Sequence, residues 1–110
     1  MKLEFTEDAL DDLLNMRDYI AGNLKNPMAA ERLMRDVVDG CQQLKRFPHM
    51  GRALPEMDGN KPKHRMLVVR NQVVIYIVRE DAVRISRVID GRTDYMKVLF
   101  KDIYADISNE

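Results

Sequence analysis

The chain predicts a single α+β domain in which a helical hairpin precedes a three-stranded antiparallel meander. Three observations carry that expectation. Residues 7–44 hold two stretches whose apolar side chains recur at helical spacing. Residues 64–90 hold three apolar, β-branched runs separated by short polar breaks. With 110 residues, 45% hydrophobic and 33% charged, the chain can bury one modest core and not two.

The elements follow in order. Leu3-Glu4-Phe5 reads as a short N-terminal strand with Leu3 and Phe5 on one face. Thr6 is a suitable N-cap for a helix over 7–24, and Glu7 and Asp8 suit the positive end of its dipole. Leu10, Leu13, Leu14, Arg17, Ile20 and Leu24 form the expected buried stripe, broken only by Arg17. Asn26-Pro27 opens a second helix with Asn as cap and Pro at the first position. Its apolar stripe is Ala30, Leu33, Met34, Val37, Cys41 and Leu44, and Pro48 stops it, giving an antiparallel two-helix hairpin. Residues 48–63 hold three of the four prolines and read as a loop, in which Met50 and Met57 are placed to face a partner.

The meander is expected at 64–69, 73–79 and 82–90, with tight turns at Arg70-Asn71-Gln72 and Glu80-Asp81. After Gly91, Thr93 is placed to cap a short C-terminal helix carrying Tyr95, Met96, Leu99 and Phe100. The domain is therefore assigned to residues 1–100 and a tail to 101–110. Two helices cover one face of a four-stranded sheet, so the other face is expected to stay partly open and to carry function.

Composition narrows the function classes. The formal charge is zero, yet residues 1–24 carry six acids against two bases, and residues 63–100 eight bases against four acids. That asymmetry predicts a basic sheet region fit for an acidic or phosphate-rich partner. The N-terminus lacks the pattern of a signal peptide, and the apolar run Val73–Val78 is far shorter than a membrane span. The lone Cys41 agrees with a reducing, cytoplasmic setting. Cys41, His49 and His64 are too few for a structural zinc site, so neither metal nor cofactor is expected.

No serine triad, phosphate-cradling glycine loop or paired-carboxylate spacing is present. Aromatic residues make up 6% of the chain, without Trp, which argues against a base-stacking sheet. What remains is a cationic cluster with one imidazole and one phenol: His64, Arg65, Arg87, Arg92 and Tyr95. Val83, Ile85, Arg87 and Ile89 are expected on one strand face, which makes Arg87 a charge in an apolar row. If the strand ends meet at one rim of the sheet, such a set can cleave RNA without metal. His64 or Tyr95 would move protons, and the arginines would stabilise the phosphorane charge. The same cluster equally suits docking to an acidic surface.

Several segments together resemble the RelE/ParE superfamily of bacterial type II toxins over residues 2–100. They are Leu44-Lys45-Arg46-Phe47-Pro48-His49-Met50-Gly51-Arg52, Arg65-Met66-Leu67, Val74-Ile75-Tyr76 and Val88-Ile89-Asp90-Gly91-Arg92-Thr93-Asp94-Tyr95. The resemblance implies a growth-inhibiting toxin of a plasmid-stabilisation type system, bound by a cognate antitoxin. RelE-like members cut mRNA on the ribosome, and ParE-like members act on DNA gyrase. Leu67 and Val73 stand where RelE-like enzymes usually carry cations, so the resemblance points to a gyrase poison. The alternatives are a ribosome-dependent mRNA endonuclease built on the five residues above and an inactive, antitoxin-binding relative.

Overall fold

The computed structural model describes residues 1–54 and 63–92. Its order is β1 (Lys2–Phe5), α1 (Glu7–Asp18), a π-helical turn (Tyr19–Asn23), α2 (Pro27–Gln43), β2 (Arg52–Ala53), β3 (His64–Val69), β4 (Gln72–Val78) and β5 (Ala82–Asp90). Both expected caps form: Thr6 Oγ1 accepts from Ala9 N at 3.0 Å and Asn26 Oδ1 from Ala29 N at 3.2 Å. The expected C-terminal helix, Thr93, Tyr95, Met57 and the tail 101–110 lie outside the described residues.

The sheet has five strands rather than four, in the order β1-β5-β4-β3-β2. The extra strand is Arg52–Ala53, antiparallel to β3, inside the stretch read as loop. Two residues are too few to leave a periodic signal. β1 pairs parallel with β5, and β3-β4-β5 form the antiparallel meander. Arg70 turns the first hairpin with a left-handed φ of 54°.

Helix α1 buries a face rotated from the one expected, keeping Leu13 and Ile20 of the expected stripe. Ala9 and Leu13 are buried, Met16 and Ile20 pack against that core, and Leu10, Leu14 and Leu24 are 48%, 44% and 58% exposed. Counting large apolar residues shifts the stripe toward Leu10 and Leu14 because it passes over the small Ala9, which is fully buried in the core. Helix α2 follows its expected stripe, with Ala30, Leu33, Val37, Cys41 and Leu44 buried and Met34 packed against them.

The second sheet face is not open. Met66, Val73, Ile75 and Ile89 are buried there with Leu54, separately from the helix-side core of Val74, Tyr76, Val83, Ile85 and Val88. Central strand β4 is thus buried on both faces from Gln72 to Tyr76, which explains its unbroken apolar run.

A register shift also changes β5. Ile75 opposes Arg87 while Tyr76 opposes Ile85, so Ser86 is the extra residue of a β-bulge. The alternation resets there. Val83 and Ile85 belong to the helix-side core and Ile89 to the other, so the expected single row of Val83, Ile85, Arg87 and Ile89 does not exist.

Candidate functional site

The expected convergence of the cationic residues at one rim does not occur. A meander of three strands ends opposite to where it starts. His64 pairs with Ile77 at one end, whereas Val69, Gln72 and Asp90 share a row at the other. Five residues of strand separate the two rows, about 17 Å. His64 and Arg65 therefore sit at one end, Arg87 lies between, and Arg92 follows the far end.

At the first end, Arg65 holds a loop. Its Nε donates to Gly51 O and its Nη2 to His49 O, both at 3.0 Å. The fully buried Tyr76 hydroxyl donates to Pro48 O at 2.8 Å and accepts from Gly51 N at 2.9 Å. Gly51 is required by close approach: a Cβ there would stand 2.5 Å from Met66 O and 2.6 Å from the Tyr76 oxygen. These contacts fix residues 47–51 as a knuckle whose side chains still face solvent, with Phe47 57% and Met50 44% exposed. The Arg46 guanidinium lies 5.6 Å from the Phe47 ring centroid. The partly buried His64 accepts Leu54 N at its backbone carbonyl, 2.9 Å away.

At the far end a cleft of about 660 Å³ opens between α1, the π-helical turn, α2 and the strand ends. Tyr19, Arg70, Arg87 and Arg92 line it, above Met16 and Ile20. Each of its arginines has a carboxylate. Arg87 Nε and Nη2 grip Asp12 at 2.8 and 3.0 Å, and Asp12 Oδ2 also accepts Val88 N at 2.9 Å. Arg70 meets Asp36 at 2.6 Å, and Arg92 meets Asp90 at 3.0 Å. The Arg92 side chain, donating to Asp90, holds that carboxyl below the usual range, helped by the Arg92 backbone N–H; Asp90 in turn raises Arg92. Burial pushes the Cys41 thiol up to about 12, which removes it as a nucleophile.

Two of the five expected site residues, Arg87 and Arg92, thus share a cleft, while His64 and Arg65 belong to the other end and Tyr95 lies outside the described residues. Tyr19, Arg70 and Asp12 were not anticipated at this site. Asp12 gave no local signal, because its partner lies 75 residues away in the chain. Among the described residues no three His, Cys, Asp or Glu side chains gather as a metal-ligand set.

The family described as the ParE toxin of the type II toxin–antitoxin system, parDE, matches residues 3–95. A solved structure titled "Chromosomal ParDE TA system from P. aeruginosa" is similar in fold, with a TM-score of 0.68 at 23% identity over 82% of this chain and 95% of that one. No curated protein matches. With the sheet order, the locked knuckle and the family match over residues 3–95, the chain belongs to the ParE toxin family of type II toxin–antitoxin systems.

Proposed function

We propose that this toxin inhibits growth by docking on DNA gyrase, without chemistry of its own, and that a cognate antitoxin holds it inactive until released. The observation that carries the docking reading is the separation of the candidate residues. A metal-free nuclease needs proton donors and cations around one phosphate. Here Arg65 is engaged by backbone carbonyls and Arg87 by Asp12, while His64 lies about 17 Å of strand from the row that leads to Arg92. Membership of a type II toxin–antitoxin family supports an antitoxin as partner, and the ParE-like character of the chain favours gyrase as the target. Arg92, the most exposed of the described candidates, is assigned to docking; Arg65 and Arg87 are assigned to positioning. No helix among the described residues is long and apolar enough to cross a membrane; docking on gyrase requires a cytoplasmic toxin, which is the location this reading assigns.

Pulse-labelling just after induction tests this, following thymidine and methionine incorporation side by side. DNA synthesis should fall first, and the purified toxin should inhibit supercoiling by gyrase. An earlier fall in protein synthesis, with cleaved mRNA, would replace docking by the endonuclease reading.

A further inference from the structure

The knuckle held by Arg65 and Tyr76 gathers cations and apolar side chains with no acid between them. Arg46, Phe47, Pro48, His49 and Met50 line one open depression of about 650 Å³, so these side chains share a surface. Phe47, His49 and Met50 are exposed, and the Arg46 guanidinium rests 5.6 Å from the Phe47 ring centroid. Lys45 enters the turn and Arg52 leaves it, both exposed, with Arg52 Nη2 3.6 Å from Met66 Sδ. Arg65, on the neighbouring strand β3, reaches the same turn through His49 O and Gly51 O. None of Lys45, Arg46, Arg52 and Arg65 meets a carboxylate among the described residues, and between Asp39 and Glu56 the chain has no acid. The carbonyls at the end of α2 are occupied as well. Gln42 O accepts Lys45 N at 3.2 Å, and Gln43 O accepts Arg46 N and Phe47 N at 3.1 and 3.0 Å, so the negative helix end is partly satisfied inside the turn.

Cations that outnumber the apolar side chains they surround suit nucleic acid better than protein. The cores of protein interfaces are depleted of charge and of Lys in particular. Interfaces with DNA are much more positive. A single-stranded partner needs successive aromatic side chains to stack on, and this turn has only Phe47. We propose that residues 45–52 are a contact for duplex DNA, in which Lys45, Arg46 and Arg52 each neutralise a phosphate and Phe47 and Met50 lie against the groove. Arg65 is a positioning residue that holds the turn and adds its charge from behind. Proteins that hold the minor groove commonly set apolar side chains among Arg and Lys in this way. The buried Tyr76 hydroxyl fixes the backbone beforehand, so little conformational freedom is lost on binding. The contact is with DNA itself and holds whether or not gyrase is the target.

Fluorescence anisotropy of a short labelled duplex of mixed sequence, titrated with the full-length, antitoxin-free chain, tests it. The logarithm of the affinity should fall linearly with the logarithm of salt concentration, with a slope of about −3 for three phosphate contacts. Lys45→Gln with Arg46→Gln should bring that slope to about −1. Phe47→Ala should weaken binding severalfold at every salt concentration and leave the slope alone. Arg84→Gln removes a cation already paired with Glu4 and should change neither. Exchanging the two cations, Lys45→Arg with Arg46→Lys, keeps the charge and should bind like the unaltered chain, which separates lost charge from lost folding. No binding at low salt, or a slope that Lys45→Gln with Arg46→Gln leaves unchanged, would overturn the proposal. So would equally tight binding to poly-glutamate, which would make the turn a site for acidic proteins. A chain that binds the duplex yet spares supercoiling would sink gyrase docking alone; one that blocks supercoiling without binding the duplex would sink this contact alone.

Discussion

The two ends of the sheet handle positive charge in opposite ways. At the knuckle, Arg65 donates to the neutral carbonyls of His49 and Gly51 and keeps its full charge. Neither it nor Lys45, Arg46 or Arg52 has a carboxylate among the described residues within salt-bridge distance. At the cleft, Arg70, Arg87 and Arg92 each meet an aspartate; Arg84, in the row of His64, meets Glu4 of β1 at 3.7 Å. Two of those acids, Asp12 and Asp36, come from the helices. The stretch from 63 to 100 is basic along the chain, yet among its described cations Arg70, Arg84, Arg87 and Arg92 each meet a carboxylate. Lys45, Arg46, Arg52 and Arg65, without a carboxylate among the described residues, gather at the knuckle, and most of them come from outside that stretch. Charge counted along a segment predicts a surface field only when its partners lie within the same segment.

The difference is sharpest when the knuckle is forced open. Gly51→Ala should cost ~3 kcal/mol, since the new methyl meets the Met66 carbonyl and the Tyr76 ring, neither of which can move away freely. A shift of the urea midpoint at unchanged slope would show it. A neutral result would mean that the loop is pliable and not a fixed platform.

Breaking the cleft's anchor should cost slightly less. Arg87→Met leaves Asp12 unpaired at 14% exposure, which should destabilise by ~2–3 kcal/mol, below the figure for a wholly buried pair. Asp12→Asn keeps an acceptor for Val88 N and should be milder. A double-mutant cycle with a coupling near zero would show that the pair is incidental.

Tyr76→Phe comes third. It removes a donor to Pro48 O and leaves Gly51 N without its acceptor, for a loss of ~1–2 kcal/mol. Hydrogen exchange at the Gly51 amide should speed up sharply, while amides in the cleft stay protected. Equal acceleration at both ends would mean that they open together and are not independent units.

Much of this fold was legible in the chain, and the failures have physical causes. Caps at Thr6 and Asn26, the α2 stripe and the three long strands follow from local chemistry, and all formed where expected. What local pattern cannot supply is position relative to distant elements. The buried face of α1 depends on Ala9 fitting closely against the core, the bulge at Ser86 on pairing with β4, and strand β2 on meeting β3. The site was legible by residue type only. Arg65, Arg87 and Arg92 all make specific contacts, but their assignments rest on partners 14 to 75 residues away or, for Arg92, on a neighbour two residues back. The expected rim failed on strand parity, which was available from the sequence: an odd meander starts and finishes at opposite ends.

The smallest effect separates an exposed pair from a fixed one. Arg92→Ala removes the guanidinium from Asp90 at a position where the arginine side chain is 82% exposed. Solvent screens such pairs, so the denaturation midpoint at neutral pH should not move measurably. The carboxyl of Asp90 should respond instead, rising toward its ordinary value once the side-chain hydrogen bond from Arg92 is gone. The Arg92 backbone N–H still donates to it, so the return should be partial. Because the folded pKa lies below the unfolded one, Asp90 adds stability above the ordinary carboxylate range, and that contribution is lost as pH falls through the folded pKa. In the variant the contribution is smaller, and its loss, which starts near the same unfolded pKa, should be complete at a higher pH. An NMR titration of Asp90 in both proteins measures the shift directly. Should the two curves superpose, the Arg92 side chain is mobile in solution and available to a partner, which would extend the uncompensated positive surface from the knuckle to both ends of the sheet.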